Sequence, residues 1–209
     1  NLTPGMLASL FAAIPISSLT RLEIADNELF DEDPSQLVAS LRFLGQQSVG
    51  LRHLDLGSTG LNDRAILALI DSGLFTELEE LVLSGNQLGH EAISALVASD
   101  FFLERTALDF SDNSLGDEGF VTLMTSESLT TLRTLALRNN DIGDDALDAL
   151  AGESFPALVA LDLSNNRISI EGAHRLLREG LFPSLEELHL NYNSISEYDE
   201  AWGDLQEVA

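Results

Sequence analysis

The sequence predicts an α/β solenoid of about seven stacked repeats. Two observations support this prediction: an Asn or Thr returns at a nearly fixed interval, and the residues before it alternate between apolar and polar. A period of this length indicates structural repeats that stack on one another. We call the recurring position the Asn column. It comprises Asn27, Thr59, Asn86, Asn113, Asn140, Asn166 and Asn193, with successive spacings of 32, 27, 27, 27, 26 and 27 residues.

Each repeat is predicted to contain a short strand, a tight turn, a helix and a return loop. The segment Leu158–Ile168 represents the pattern, L-x-x-L-x-L-x-x-N-x-I. The alternation before the Asn predicts a strand with one buried face. Six and ten residues after it, a small residue and a Leu share one face of a helix. These residues are Ala65, Ala92, Gly119, Ala146 and Gly172, and Leu69, Leu96, Leu123, Leu150 and Leu176.

Three repeats depart from the pattern. The first carries about five extra residues, which we assign to a longer helix and loop around Leu41–Gly50. In the second, Thr59 replaces the Asn. In the fourth, Arg105 stands where the first Leu belongs, so the start of that strand should be less well packed.

This pattern resembles that of leucine-rich repeat proteins, and in particular their ribonuclease-inhibitor-like class. The resemblance covers residues 19–195 and implies a curved right-handed horseshoe, with a parallel sheet on the concave face and helices on the convex face. We interpret residues 1–209 as one domain. Residues 1–18 form an N-terminal helix, either a cap or a partial repeat, in which Thr3 and Pro4 begin the helix and Pro15 ends it. Residues 196–209, around Trp202, form a C-terminal cap.

The composition is strongly acidic. Ten Arg, no Lys and 35 Asp and Glu give a net charge of −25. This charge argues against binding to nucleic acid or to an anionic membrane and favours a basic protein partner, although solubility alone could explain it. The chain has no Cys, and its longest apolar run, Met6–Ile16, is too short to span a bilayer. Many extracellular leucine-rich repeat proteins carry disulfide-bonded caps, so the resemblance implies an intracellular or bacterial setting. We expect a cytoplasmic protein and, as a separate prediction, a monomer.

No motif argues for catalysis. His90-Glu91 begins the zinc motif H-E-x-x-H, but residue 94 is Ser. Asp162, Ser164 and His189 should lie near one another on the open sheet face, where a serine-hydrolase arrangement would lack a pocket. We expect no enzyme activity, no cofactor and no metal.

The favoured hypothesis is a protein-protein interaction module that binds its partner through the concave face. The candidate partner-binding residues are Glu23, His53, Asp55, Glu80, Asp109, Arg138, Asp162, Glu187, His189 and Tyr192. One alternative is a regulator of a GTPase or another enzyme, since the pattern is similar to that of Ran GTPase-activating proteins. Others are the recognition part of a larger sensor or effector protein and a purely structural spacer.

Overall fold

Strands and helices alternate along the chain, as the repeats predict. The computed structural model describes residues 2–13, 17–29, 35–47, 50–70, 78–99, 101, 105–126, 129–177 and 180–195. The elements in these ranges are α1 (Pro4–Ala13), β1 (Arg21–Glu23), α2 (Ser35–Gln47), β2 (His53–Asp55), α3 (Asp63–Ile70), β3 (Glu80–Val82), α4 (His90–Ala98), β4 (Ala107–Asp109), α5 (Gly116–Met124), β5 (Thr134–Ala136), α6 (Asp144–Asp148), β6 (Ala160–Asp162), α7 (Ile170–Leu176) and β7 (Glu187–His189).

The seven strands form one open parallel sheet in the order of the sequence. Each strand pairs with the next so that equivalent repeat positions lie side by side; for example, Asp109 pairs with Ala136 and Ala136 with Asp162. This register confirms the alignment of the repeats. The middle residue of each strand points toward the helices, and in β2 to β6 it is buried.

A single apolar core lies between the sheet and the helices. Each helix packs against the next one in sequence, and both helical columns predicted from the sequence are buried. The extra residues of the first repeat lengthen α2 to 13 residues. In this longer helix Leu44 is buried and Phe43 is exposed.

The side-chain amides of the Asn column hold neighbouring repeats together. Oδ1 of Asn86 accepts hydrogen bonds from the backbone N–H groups of Thr59 (3.2 Å) and Leu61 (2.9 Å) of the preceding repeat. Its Nδ2 donates to the carbonyl of Leu56, also in that repeat, at 2.9 Å. Each amide therefore satisfies loop groups that would otherwise be buried without partners.

Arg105 and Thr59, which depart from the repeat pattern, both fit into the stacked repeats. Arg105 fills the place of the missing Leu and is buried, with its guanidinium 5.0 Å from the centre of the Phe101 ring. Thr59 donates its hydroxyl to the carbonyl of Leu56 at 2.6 Å. The predicted C-terminal cap, with Trp202, lies outside the described residues.

Candidate functional site

The sheet face turned away from the helices, which we call the concave face, carries three columns of side chains. Alternate residues along each strand point to this face. The first column is Arg21, His53, Glu80, Ala107, Thr134, Ala160 and Glu187; the second is Glu23, Asp55, Val82, Asp109, Ala136, Asp162 and His189; the third is Ala25, Gly57, Ser84, Ser111, Arg138, Ser164 and Asn191. Most of these residues are exposed or half-buried, whereas His53, Gly57, Ser111 and Ser164 are buried. Nine of the ten predicted binding residues belong to these columns, and Tyr192 follows the third.

The three aspartates of the second column close the turn after their own strand. Oδ1 of Asp55, Asp109 and Asp162 accepts a hydrogen bond from the backbone N–H two residues later, at 2.8 Å in each case. This is the local bond by which Asp stabilises turns. The aspartates therefore have a structural role that the sequence analysis did not assign to them.

The charged residues of the first strands pair with one another. Nδ1 of His53 lies 2.7 Å from Oε2 of Glu80 on the next strand, so His53 reaches the surface less than predicted. The guanidinium of Arg21 donates to Glu23 at 2.7 Å. Arg138 is exposed, and the structure shows no ion pair for it among the described residues.

The turn after the last strand carries the most exposed aromatic residue of the described chain. Tyr192 is 86% exposed and has a φ of 59°, in the left-handed region. Nearby, Nε2 of His189 lies 3.8 Å from Oε2 of Glu187. Glu187 and His189 belong to the terminal strand β7, and Tyr192 follows that strand in the sequence.

A fourth column borders this face and was not recognised from the sequence. The residue just before each Asn-column position has a positive φ, and these residues are Asp26, Ser58, Gly85, Asp112, Asn139, Asn165 and Tyr192. Nδ2 of Asn165 donates to Oδ1 of Asn139 (2.8 Å), and Nδ2 of Asn139 donates to Oδ1 of Asp112 (2.9 Å). The run of Asp, Asn, Ser and Gly could have indicated this column, because Gly, Asp and Asn tolerate left-handed backbone best.

The neighbouring Asp162, Ser164 and His189 do not form a hydrolase triad. The hydroxyl of Ser164 donates to Oδ1 of Asp162, so no imidazole stands between them to act as the base. The described residues include no group of three acidic, His or Cys side chains that could hold a metal ion. Within the same ranges, no helix has the length and apolarity to cross a membrane.

Three segments of the chain are similar to a known family of repeats. Residues 76–97, 106–124 and 128–151 match the family model described as Leucine Rich repeat. Among solved structures, TLR13 in a TLR13–ssRNA13 complex is 21% identical over 87% of this chain and 33% of that chain, with a TM-score of 0.39. An internalin (InlF) from Listeria monocytogenes is 20% identical over 92% of this chain and 58% of that chain, with a TM-score of 0.45. The chain thus spans about a third of one and somewhat over half of the other. No curated protein matches it.

The sheet and its stacked helices define an open α/β repeat solenoid. The matched segments coincide with its third, fourth and fifth repeats, and the same residues recur at the same positions in the others. The chain therefore contains leucine-rich repeats. Proteins of this family typically act as interaction modules rather than as catalysts.

Proposed function

We propose that the protein is a non-catalytic module that binds a protein partner through the concave face. The observation that carries the proposal is the open sheet face itself, because the helices cover only the other side. Three columns on seven strands provide 21 positions, and one side of a standard protein interface has about 20–30 residues. We also propose that the repeats belong to the ribonuclease-inhibitor-like class.

The charge of this face favours a partner that presents Arg or Lys side chains. In the second column Asp55, Asp109 and Asp162 alternate with the smaller or apolar Val82 and Ala136. Neighbouring strands lie about 4.8 Å apart, so a cationic group above Ala136 would lie between two carboxylates. Each of these carboxylates uses Oδ1 for its own turn, which leaves Oδ2 for an external cation.

The net charge of −25 also weighs against nucleic acid as the ligand, because phosphates would be repelled. TLR13 was solved with single-stranded RNA, whereas we propose a protein ligand for this chain. Regulation of a GTPase, recognition within a larger protein, and the cytoplasmic, monomeric state stay predictions.

The test removes charge from the face and keeps the turns. In the double variant Asp109→Asn, Asp162→Asn, the amide oxygen still accepts the turn hydrogen bond. The matched control, Asp145→Asn with Glu153→Gln, changes the net charge equally at exposed positions on the helix side. Proteins captured from the source cell by the three forms are compared, and candidates are re-measured with purified components.

We expect a basic protein that binds the wild type and the control with equal affinity and binds the face variant at least about tenfold more weakly, since close charge pairs contribute more than 1.4 kcal/mol. Equal binding by all three forms would show that the partner uses another surface. An equal loss in both variants would show that only the net charge matters.

A further inference from the structure

The middle of the concave face has two matching sides. The segments that contain β4 and β6 flank β5, and both present an Ala, an Asp and a Ser to this face in the same order. These residues are Ala107, Asp109 and Ser111 on one side, and Ala160, Asp162 and Ser164 on the other. Between them, the segment of β5 presents Thr134, Ala136 and Arg138. We call these nine residues the central patch.

The position of Arg138 in the central patch is fixed by backbone hydrogen bonds that continue past the ends of the strands. The N–H of Asp112 donates to the carbonyl of Arg138 (2.7 Å), and the N–H of the residue after Arg138 donates to the carbonyl of Ser164 (2.9 Å). Arg138 therefore lies between Ser111 and Ser164. It follows Ala136 by two residues along the same extended segment, so the two positions are about 7 Å apart on one face.

Arg138 differs from the other basic residues of the three columns. Each of those residues has a carboxylate at 2.5–3.8 Å, and the pairs are Arg21 with Glu23, His53 with Glu80 and His189 with Glu187. Arg138 is exposed and forms no ion pair within the described part of the chain, although the chain has 35 acidic residues and only ten Arg. Its guanidinium donors are therefore available to an external acceptor.

The two serines beside Arg138 differ in what their hydroxyls do. The hydroxyl of Ser164 donates to Oδ1 of Asp162. At Ser111 the N–H donates to Asp109 (2.8 Å), whereas the hydroxyl has no hydrogen bond to any other described residue. A serine hydroxyl can donate one hydrogen bond, and a carboxylate can accept several. Arg138 and Ser111, side by side on neighbouring strands, can thus bind one carboxylate together.

We propose that Arg138, assisted by Ser111, binds the carboxylate of an Asp or Glu side chain of the partner. This inference rests on the proposed function, in which a basic group of the partner lies over Ala136, between Asp109 and Asp162. The partner then carries an acidic group about 7 Å from that basic group. An extended segment supplies the pair two residues apart, because its side chains have the same spacing as the strand beneath it.

Arg138 acts on specificity more than on attraction. A net charge of −25 attracts any segment rich in Lys and Arg. A second cation placed over Arg138 is repelled, so the central patch discriminates against purely basic segments and favours one with alternating charge. A phosphate is a poorer occupant than a carboxylate, because nearly two negative charges would lie close to Asp109 and Asp162.

The test selects binders from a library of random peptides displayed on phage. Each peptide is fused through its C-terminus, so only side chains supply carboxylates. The full chain is used as wild type, as Arg138→Gln, and as the matched control Arg133→Gln. Arg133 is also exposed, stands directly before β5 and lies outside the three columns, and its change removes the same charge.

We expect the wild type and Arg133→Gln to enrich peptides in which a Lys or Arg stands two residues from an Asp or Glu. Arg138→Gln should still enrich the basic residue but no longer the acidic one. A selected peptide, synthesised with an amidated C-terminus, should bind the wild type about fivefold or more tightly than the same peptide with its acidic residue changed to the amide. The two peptides should bind Arg138→Gln equally.

Charge reversal provides a second measurement. Arg138→Glu should bind the selected peptide weakly and should regain affinity when the acidic residue of the peptide is replaced by Lys, because only a direct contact couples the two changes. Since Arg138 is exposed, the melting temperatures of its variants should stay close to that of the wild type, which separates lost binding from lost folding.

Two results would overturn the proposal. One is enrichment of basic residues by the wild type with no acidic residue at this spacing. The other is enrichment of the acidic residue that persists in Arg138→Gln. A different result bears on the proposed function itself: if the wild type enriches basic residues no more than the Asp109→Asn, Asp162→Asn variant does, that function is contradicted and the role of Arg138 fails with it.

Discussion

At the scale of single residues, Tyr192 combines an unfavourable backbone with a large exposed ring. Its φ is 59°, while its equivalents are Asp, Asn, Ser and Gly, which mostly adopt this conformation at lower cost. The ring is 86% exposed, so burial offsets little of that cost. Exposed Tyr residues are frequent anchors of protein interfaces.

We predict that Tyr192→Asn stabilises the chain by about 1 kcal/mol, because Asn adopts left-handed backbone more readily. Under the proposed function the same change weakens binding of the partner. Chemical denaturation and a binding assay measure the two effects separately. Tyr192→Phe is the control, since it keeps both the ring and the strain and should leave stability unchanged. Lower stability in Tyr192→Asn would mean that the ring packs favourably in the folded state.

At the scale of elements, the acids at the helix starts connect one repeat to the next. Oδ1 of Asp63 accepts from the N–H of Gly89 (2.7 Å), and Oδ1 of Asp117 accepts from Gly143 (2.6 Å). Both acceptors stand in the first turn of their helices and both donors stand just before the next helix. Acidic residues at helix starts interact favourably with the helix dipole, but the contacts of these two with the following repeat depend on how the repeats stack.

The start of α7 allows a test of one such contact between successive repeats. Ser169 caps this helix by accepting from the N–H groups of Glu171 and Gly172, and its N–H donates to Asp144 of the preceding repeat (2.9 Å). The Ser169 hydroxyl lies within hydrogen-bond distance of two carboxylates, Oδ2 of Asp144 and Oε2 of Glu171 (2.7 Å). Its hydrogen bond to Glu171 is the main cause that lowers the pKa of that carboxyl below its ordinary value. We predict that Ser169→Ala destabilises the chain by about 1 kcal/mol at neutral pH, the usual effect of losing such a cap.

The pH dependence of this effect has a definite sign. A carboxyl whose pKa is lowered on folding stabilises the protein above its unfolded pKa, and that contribution is lost as the pH falls through its folded pKa. The destabilisation by Ser169→Ala should therefore shrink on acidification, and NMR titration should place the pKa of Glu171 higher in the variant. Glu171→Gln removes the titrating group and should abolish this pH dependence. A destabilisation by Ser169→Ala that stays constant with pH would contradict the assignment.

At the scale of the whole molecule, the sequence predicted the repeat order, the register and the buried columns, because each depends on a periodic pattern. The aspartates of the concave face were predicted as binding residues only, since nothing in their spacing revealed that Oδ1 of Asp109 closes a turn. Arg105 was expected to weaken packing, but the sequence could not indicate that Phe101 would lie beneath its guanidinium. Such contacts depend on side-chain directions that appear only once the repeats are stacked.

The charge of the molecule sets its response to salt. With 35 acidic residues and ten Arg, most carboxylates cannot have a basic partner, so the folded chain repels itself. We predict that the melting temperature rises as NaCl increases from about 10 to 500 mM, because the screening length falls from about 30 Å to under 10 Å.

Choline chloride should have the same effect as NaCl if screening is the cause, whereas a specific effect of Na⁺ would separate the two salts. A melting temperature that stays constant or falls with salt would show that the ion pairs of the folded state outweigh the repulsion.

Under the proposed function, the association rate with a basic partner should fall over the same range of NaCl concentration. Salt would then stabilise the fold and slow binding at once, because both effects arise from the same excess of carboxylates.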